Sequence, residues 1–145
     1  MNEEQIEQVL LGIEDVELYE YSYPAPREED WVMFRATFNT DFGESFISFT
    51  NLMCKYNFTG ETYQITNDEK NLNESIYSVY EYECSYSTWD KNMLPIIGYG
   101  DGDCICLSIR DREFTRVYLY DHEDESFEII GGSFEEWLGS TDGYS

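Results

Sequence analysis

The order of apolar and polar residues changes its period near residue 93. Upstream of that point, apolar residues recur every three or four positions, which is the spacing of one helix face. The clearest segment predicts a helix over 42–56, with Thr40 or Asp41 as its N-cap and turn chemistry at 57–60 as its end. Its repeating apolar side chains are Phe42, Phe46, Phe49, Met53 and Tyr56.

A short helix is predicted near each end of the chain. Residues 3–12 place apolar side chains at helical spacing and acidic residues in the first turn, where the helix dipole favours them. Near the other end, Ser133 and Glu136 form the pattern of a capping box, and Gly139 provides a stop. The apolar residues of these two segments are Ile6, Val9 and Leu10, and Phe134, Trp137 and Leu138.

Two other stretches upstream of residue 93 have weaker patterns. A tyrosine-rich acidic stretch follows the first helix, and Pro24 and Pro26 break it. Residues 72–86 have the apolar spacing of a short helix, whereas their tyrosines would equally suit a strand.

Downstream of residue 93 the pattern becomes that of strands. Four short segments rich in β-branched and aromatic residues are separated by glycine or charged turns. They predict strands at 93–98, 103–109, 116–121 and 126–130. Successive short strands form an antiparallel meander, and the helices before and after it predict an α+β fold in one domain over 1–145.

The segment YGDGDCICLSI at 99–109 concentrates residues that can carry chemistry. It is not a calcium loop of the EF-hand type, because the run turns apolar directly after Asp103 and lacks the later oxygen ligands. A phosphate loop would need Lys and Ser or Thr after the glycines, and acidic residues would repel phosphate. We therefore predict a hairpin turn in which Gly98, Gly100 and Gly102 adopt dihedral angles that other residues avoid.

The four cysteines do not form a metal-binding or redox motif. Cys104 and Cys106 stand two residues apart, so on a strand they share one face and do not readily form a disulfide. The chain has no C-x-x-C, and His122 is its single histidine, which argues against zinc. We expect reduced cysteines, Cys54 and Cys84 included, and neither a metal nor a cofactor.

The charge is strongly acidic, with 31 Asp and Glu against 8 Lys and Arg and a formal net charge of −23. Residues 1–30 carry −9, residues 31–100 carry −5 and residues 101–145 carry −9, so both ends are the most acidic. Such a field repels nucleic acid and anionic membranes and attracts basic partners. Solubility alone is an equally good reason for an acidic surface.

The N-terminal sequence argues against export. MNEEQIEQVLLGIED is acidic where a signal peptide would be basic, and it lacks a cleavage site of small residues. No segment has the run of about 20 apolar residues that a membrane helix needs. We expect a cytoplasmic protein.

Catalysis is not indicated by the residues. His122, in YDHEDES, has acidic neighbours that would raise its pKa, but no G-x-S-x-G or comparable nucleophile motif accompanies it. Carboxylates are so abundant that any two would resemble a glycosidase pair. We predict a protein that is not an enzyme, in which His122 ends a strand and bonds locally.

Four segments of the C-terminal half occur in a recognisable order. They are a strand entering a Gly/Asp turn, a D-x-I-x-L strand, a hydrophobic strand ending in Asp-His-Glu, and a final Ser-Phe-x-x-Trp-Leu helix. This order resembles the SUKH superfamily, specifically its Smi/Knr-type domain. The match is best over 40–140, and residues 1–40 are predicted to be a divergent extension of the same domain. The four segments are Gly98–Asp103, Cys104–Ile109, Val117–Glu123 and Ser133–Leu138.

The resemblance implies an α+β fold and a binding role. Bacterial members act as immunity proteins that neutralise toxins of polymorphic or contact-dependent systems, often nucleases, and fungal members regulate cell-wall synthesis. We therefore expect an immunity protein whose partner is a basic toxin domain, in the first place a nuclease. The alternatives are a regulatory or interaction domain with no toxin partner, and an acidic DNA mimic.

The Gly/Asp turn and the Asp-His-Glu corner supply the candidate contact residues for a basic partner. Trp89 is a candidate aromatic anchor at the same surface, although a core position suits it equally well. For each of the acidic residues, an ordinary solvated turn position is the alternative. The acidic candidates are Asp101, Asp103, Asp121, Glu123 and Asp124.

Overall fold

The computed structural model describes residues 2–13, 16–20, 22–40, 42–58, 60–66, 73–111 and 116–140. Within these ranges, it contains five helices and seven strands. The helices are α1 (Glu3–Leu11), α2 (Glu28–Phe38), α3 (Glu44–Leu52), α4 (Ile76–Cys84) and α5 (Phe134–Ser140). The strands are β1 (Glu17–Leu18), β2 (Tyr56–Asn57), β3 (Glu61–Thr62), β4 (Met93–Gly98), β5 (Cys104–Ser108), β6 (Val117–Asp121) and β7 (Ser126–Gly131).

The main sheet has the strand order β3-β4-β5-β6-β7, and every neighbouring pair is antiparallel. The four strands predicted from the sequence are therefore confirmed as a meander, each to within one residue of its predicted ends. β1 and β2 pair separately as a short antiparallel ribbon. With helices packed on the sheet, the predicted α+β fold is confirmed.

The two faces of β5 point into two different apolar clusters. Ile105 and Leu107 belong to the large cluster that the helices cover. Cys104 and Cys106 point the opposite way, into a smaller cluster that contains Trp89. This alternation is the one that the sequence predicts for a strand, and burial on both faces explains why nearly every residue of β5 is apolar.

Aromatic side chains of α2, α3 and α5 and aliphatic side chains of α1 fill the large cluster. Phe34 of α2 packs edge-to-face against Phe42, with ring centroids 5.4 Å apart. Phe49 of α3 contacts both Phe134 and Trp137 of α5, with centroids 5.1 and 6.2 Å away. Ile6 and Leu10 of α1 are fully buried against this group. Each large buried ring removes a substantial apolar area from water, so this cluster supplies most of the core.

Two predicted helix boundaries are wrong. α3 begins at Glu44 with Gly43 at the N-cap and ends at Leu52, so it is shorter than 42–56. The Thr40 hydroxyl donates to the Ile109 carbonyl, 3.0 Å away, instead of capping the helix, and Asp41 lies outside the described residues. In α5, Gly139 lies inside the helix instead of ending it, whereas the cap is confirmed by the hydroxyl of Ser133.

The remaining helices include one that the sequence did not predict. α1 is confirmed, and Asn2 caps it together with the Gln5 side chain. The segment with the ambiguous pattern at 72–86 contains α4. α2 begins two residues after Pro26, with Arg27 at its N-cap, and was not predicted.

Candidate functional site

Two hairpin turns meet at one end of the main sheet. The β5–β6 register pairs Cys104 with Tyr120, which places the turn before β5 beside the turn after β6. The first turn is formed by 99–103 and the second by 121–125, and we refer to the two together as the acidic corner. Their sequences, YGDGD and DHEDE, contain no Lys or Arg.

Asp103 holds the two turns together. One of its carboxylate oxygens accepts the backbone N–H of His122 at 2.9 Å and lies 2.5 Å from the Nδ1 atom of the same residue. Asp101 in turn accepts the backbone N–H of Asp103 at 2.9 Å, so the first turn is ordered from within.

Glycine is required in this turn for two reasons. Gly100 and Gly102 have φ values of +82° and +104°, a region that residues with a Cβ rarely adopt. A Cβ on Gly102 would also lie 2.9 Å from the His122 ring. The prediction for Gly98 is wrong in its reason: its φ is not positive, but the Tyr63 side chain occupies the space that a Cβ would need.

The second turn is ordered by its own carboxylate. One oxygen of Asp121 accepts the backbone N–H of Glu123 at 2.9 Å and that of Asp124 at 3.4 Å. Glu125 closes the turn in the left-handed conformation, with a φ of 52°. Glu123, Asp124 and Glu125 consequently project into solvent.

The carboxylates of the corner change the ionisation of its histidine. The hydrogen bond to Asp103 raises the pKa of His122, and the nearby charges of Asp101 and Glu123 act in the same direction. The sequence-based expectation that acidic neighbours raise this pKa is therefore confirmed. The expectation of a local partner is wrong, because the ring bonds to Asp103, which stands 19 residues away in the neighbouring turn.

A groove with a volume of about 250 Å³ runs between the end of α4 and the acidic corner. Tyr82 and Tyr86 form one wall, 60% and 51% exposed, with ring centroids 5.4 Å apart and hydroxyl oxygens 2.8 Å apart. We name it the tyrosine groove. Its lining residues are Tyr82, Glu83, Tyr86, Thr88, Trp89, Gly102, Tyr120, His122 and Glu125.

Trp89 lies under the groove and not on the surface. It is 4% exposed, its Nε1 donates to the Met93 carbonyl at 3.2 Å, and its ring packs on Tyr120 with centroids 4.9 Å apart. The sequence alternative of a core position for Trp89 is therefore confirmed, and its role as an aromatic anchor for a partner stays a prediction. Tyr82 and Tyr86 are the aromatic residues that this surface exposes instead.

The acidic candidates divide into two groups. The carboxylates of Asp101, Asp103 and Asp121 bind backbone N–H groups and shape the turns. Glu123 and Asp124 are exposed, and no hydrogen bond or ion pair of their side chains occurs within the described part of the chain. That any of the five contacts a partner stays a prediction.

Asp101, Asp103 and His122 are the one group of potential metal ligands found within the described ranges. One ligand atom from each lies within 4.8 Å of the others. The carboxylates and Nδ1 are already engaged with each other and with backbone N–H groups, so a cation would compete with the bonds that form the turn.

The paired cysteines are packed in the smaller cluster. The Sγ atoms of Cys104 and Cys106 lie 3.5 Å apart, which confirms that they share a face. Burial raises the pKa of the Cys106 thiol well above its ordinary value, so the reactive thiolate is disfavoured. The absence of a bound metal and cofactor stays a prediction.

Comparison with known proteins identifies the family. A protein-family model described as SUKH_5, SMI1-KNR4 cell-wall, matches residues 4–141, which confirms the SUKH resemblance and includes α1 and α2. No curated protein matches this sequence. The crystal structure of a protein from Pseudomonas syringae pv. tomato has the same fold, with a TM-score of 0.61 at 19% identity, covering 94% of this chain and 92% of that one. Since the family match covers nearly the whole chain, the protein belongs to the SUKH_5 (SMI1-KNR4 cell-wall) family.

Proposed function

We propose that this protein is an immunity protein that neutralises a basic toxin domain, in the first place a nuclease, by binding it without catalysis. The observation that carries the proposal is the acidic corner, in which Asp103 and His122 join two turns into one surface. The family supports a SMI1/KNR4-like domain and includes toxin immunity proteins.

The geometry of the corner favours binding over chemistry. Its histidine is bonded to Asp103, and Asp103 also binds the backbone, so both groups fix the shape of the turns. Three neighbouring acidic side chains, Glu123, Asp124 and Glu125, extend into solvent beside them. A rigid surface with exposed charge of one sign attracts a partner of the opposite sign and needs little ordering when it binds.

The net charge of the chain supports the same partner. A formal charge of −23 repels nucleic acid and anionic lipid, and it accelerates encounters with a cationic domain. The proposed complex forms in the cytoplasm through an interface of roughly 1,600 Å², the size of ordinary specific complexes. Among the described residues, none of the helices has the length and apolar character required to cross a membrane.

Co-expression with the product of the neighbouring gene tests this function. The native chain should rescue growth, and the double variant Glu123→Gln with Asp124→Asn should rescue it less. A matched control, Glu17→Gln with Glu20→Gln, removes the same charge from exposed positions outside the corner. Equal rescue by both variants would overturn the corner as the binding surface, and absence of binding at micromolar concentration would overturn the proposal as a whole.

A further inference from the structure

The tyrosine groove combines acidic and aromatic groups, and among the described residues that line it only His122 can carry a positive charge. Glu83 contributes a half-buried carboxylate for which no hydrogen bond or ion pair occurs among the described residues. Burial raises the pKa of Glu83, because the carboxylate has lost part of its hydration without gaining a partner. The groove thus contains a desolvated acid that a cation from outside would stabilise.

The position of Glu83 at the end of α4 strengthens this conclusion. The C-terminal end of a helix carries partial negative charge, so a basic residue is favoured there and an acid is not. α4 has no basic residue in its last turn, whereas Glu83 stands one residue before its end. Helix end and carboxylate therefore produce negative potential at the same place in the groove.

The wall of the groove suits a planar cation. The hydroxyls of Tyr82 and Tyr86 are hydrogen-bonded to each other, which fixes the two rings relative to one another. Both tyrosines are more than half exposed, so part of each side chain is open to a ligand from outside. The face of an aromatic ring attracts a cation, and a guanidinium also stacks on it because it is flat.

We propose that the tyrosine groove binds the guanidinium of an arginine side chain presented by the partner protein. The guanidinium stacks on the exposed face of one of the two tyrosine rings, whose planes meet at 77°, and it pairs with the carboxylates of Glu83 and Glu125, which both line the groove. The identity of the partner rests on the proposed function, whereas the chemistry of the site does not. Arginine is preferred over lysine because its planar fork matches a carboxylate and is more weakly hydrated.

An NMR titration tests the site without the partner. The probe is N-acetyl-arginine methylamide, and the control ligand is the citrulline analogue, which has the same shape but no charge. The experiment is done at about pH 8, where His122 at the edge of the groove carries less positive charge than in acid. The arginine probe should shift the signals of Tyr82, Glu83 and Tyr86 in a saturable way, and the citrulline analogue should not.

Two variants and a matched control locate the binding. Glu83→Gln should lower the affinity for the arginine probe roughly tenfold, because a charge-assisted hydrogen bond is lost. Tyr82→Leu should lower this affinity roughly threefold to fivefold, as expected for one exposed cation–aromatic contact. Glu81→Gln removes the same charge from an exposed position of the same helix and should leave the affinity unchanged. Retained backbone amide spectra show that each variant is folded.

Several results would overturn the inference. Equal binding of the citrulline analogue or of a lysine analogue would exclude a guanidinium site. Equal losses of affinity for the arginine probe in Glu83→Gln and Glu81→Gln would exclude it as well. If the probe binds but Glu83→Gln protects cells fully, the assignment to an arginine of the toxin is wrong. A failure of the proposed function has a different signature: no binding of the neighbouring gene product at all, while the groove still binds the arginine probe.

Discussion

Asp103 and His122 are 19 residues apart in the chain, and a single oxygen of Asp103 contacts both the backbone N–H and the ring of His122. This pair joins the turn before β5 to the turn after β6. The exposed acidic side chains of the second turn are thereby fixed in position relative to the first. The pair is thus a structural element of the surface that we propose for binding.

The two halves of this contact should have unequal effects on stability. Asp103→Ala removes the acceptor of both bonds and should lower the free energy of unfolding by about 1–2 kcal/mol. His122→Ala removes only the ring and leaves the backbone bond in place, so its effect should be smaller. Urea denaturation of both variants and of the double variant measures the difference. Equal losses in the two single variants would contradict the importance of the backbone bond.

The contribution of the His122 ring should depend on pH. The hydrogen bond to Asp103 raises the pKa of His122 in the folded state, so folding favours the protonated ring. The stabilisation is therefore complete below the unfolded pKa of about 6.5 and is lost as the pH rises through the folded value. The stability difference between the native chain and His122→Gln should be constant below about pH 6 and should shrink as the pH rises above the unfolded pKa.

Unfolding curves at each pH measure this difference, and an NMR titration of the His122 ring gives its folded pKa. Asp101 and Glu123 also act on this ring, but both are present in the native chain and in the variant. A difference that grows with pH would contradict the sign of the predicted effect.

The elements with a strong period could be predicted from the sequence, and those decided by distant contacts could not. The strands β4 to β7 and the helix α5 each have a short, clear pattern of apolar residues in the sequence, because many of their side chains are buried in the two apolar clusters. α2 was missed because only part of its surface is apolar: Trp31 and Phe34 are buried, whereas Val32 and Met33 are exposed, and this blurs the helical period. β1, β2 and β3 have two residues each, too few to show any period.

The candidate site was predicted by region but not in its details. The sequence located the acidic turns, because glycine and aspartate cluster in them. It could not show that Trp89 would be covered by Tyr120 and Phe127, since both residues come from strands more than 30 positions downstream. Tyr82 and Tyr86 were missed although their spacing of four is a helical one, because the segment around them also suited a strand.

Removal of the Trp89 ring should lower the stability much more than removal of the Tyr86 ring. Trp89→Ala leaves a cavity in the smaller cluster and should lower the free energy of unfolding by about 3–5 kcal/mol. Tyr86→Ala removes an exposed ring and should change it by less than about 1 kcal/mol. Thermal or urea unfolding measures both. A nearly neutral Trp89→Ala would contradict its place in the core.

Cys104 and Cys106 should be reduced, metal-free and slow to react. Because burial raises the pKa of Cys106, a thiol reagent should label it slowly in the native protein and rapidly after denaturation. Replacing both with serine should lower the free energy of unfolding by about 1–3 kcal/mol, since hydroxyl groups enter an apolar cluster. Partner binding should be retained. Mass spectrometry of the labelled protein and metal analysis provide the measurements. Stoichiometric zinc would overturn this interpretation.

Association with the toxin should depend on salt through its rate of formation. Exposed charges are screened over about 8 Å at physiological salt, so electrostatic attraction acts mainly on the encounter and little on the formed contacts. The association rate should therefore fall steeply between about 20 mM and about 150 mM salt, while dissociation changes little. Stopped-flow mixing or surface-based kinetics measures the two rates.

Variants of the corner separate local attraction from the effect of total charge. Glu123→Gln with Asp124→Asn removes exposed charge and leaves the hydrogen bonds that shape the turns intact. Changes at Asp101 and Asp103 would break those bonds, because their carboxylates accept backbone N–H groups. The double variant should associate more slowly and with a weaker salt dependence than Glu17→Gln with Glu20→Gln, which has the same net charge. If the association rate falls by the same factor in the two double variants, only the total charge attracts the partner. The acidic corner is then not the surface that contacts it.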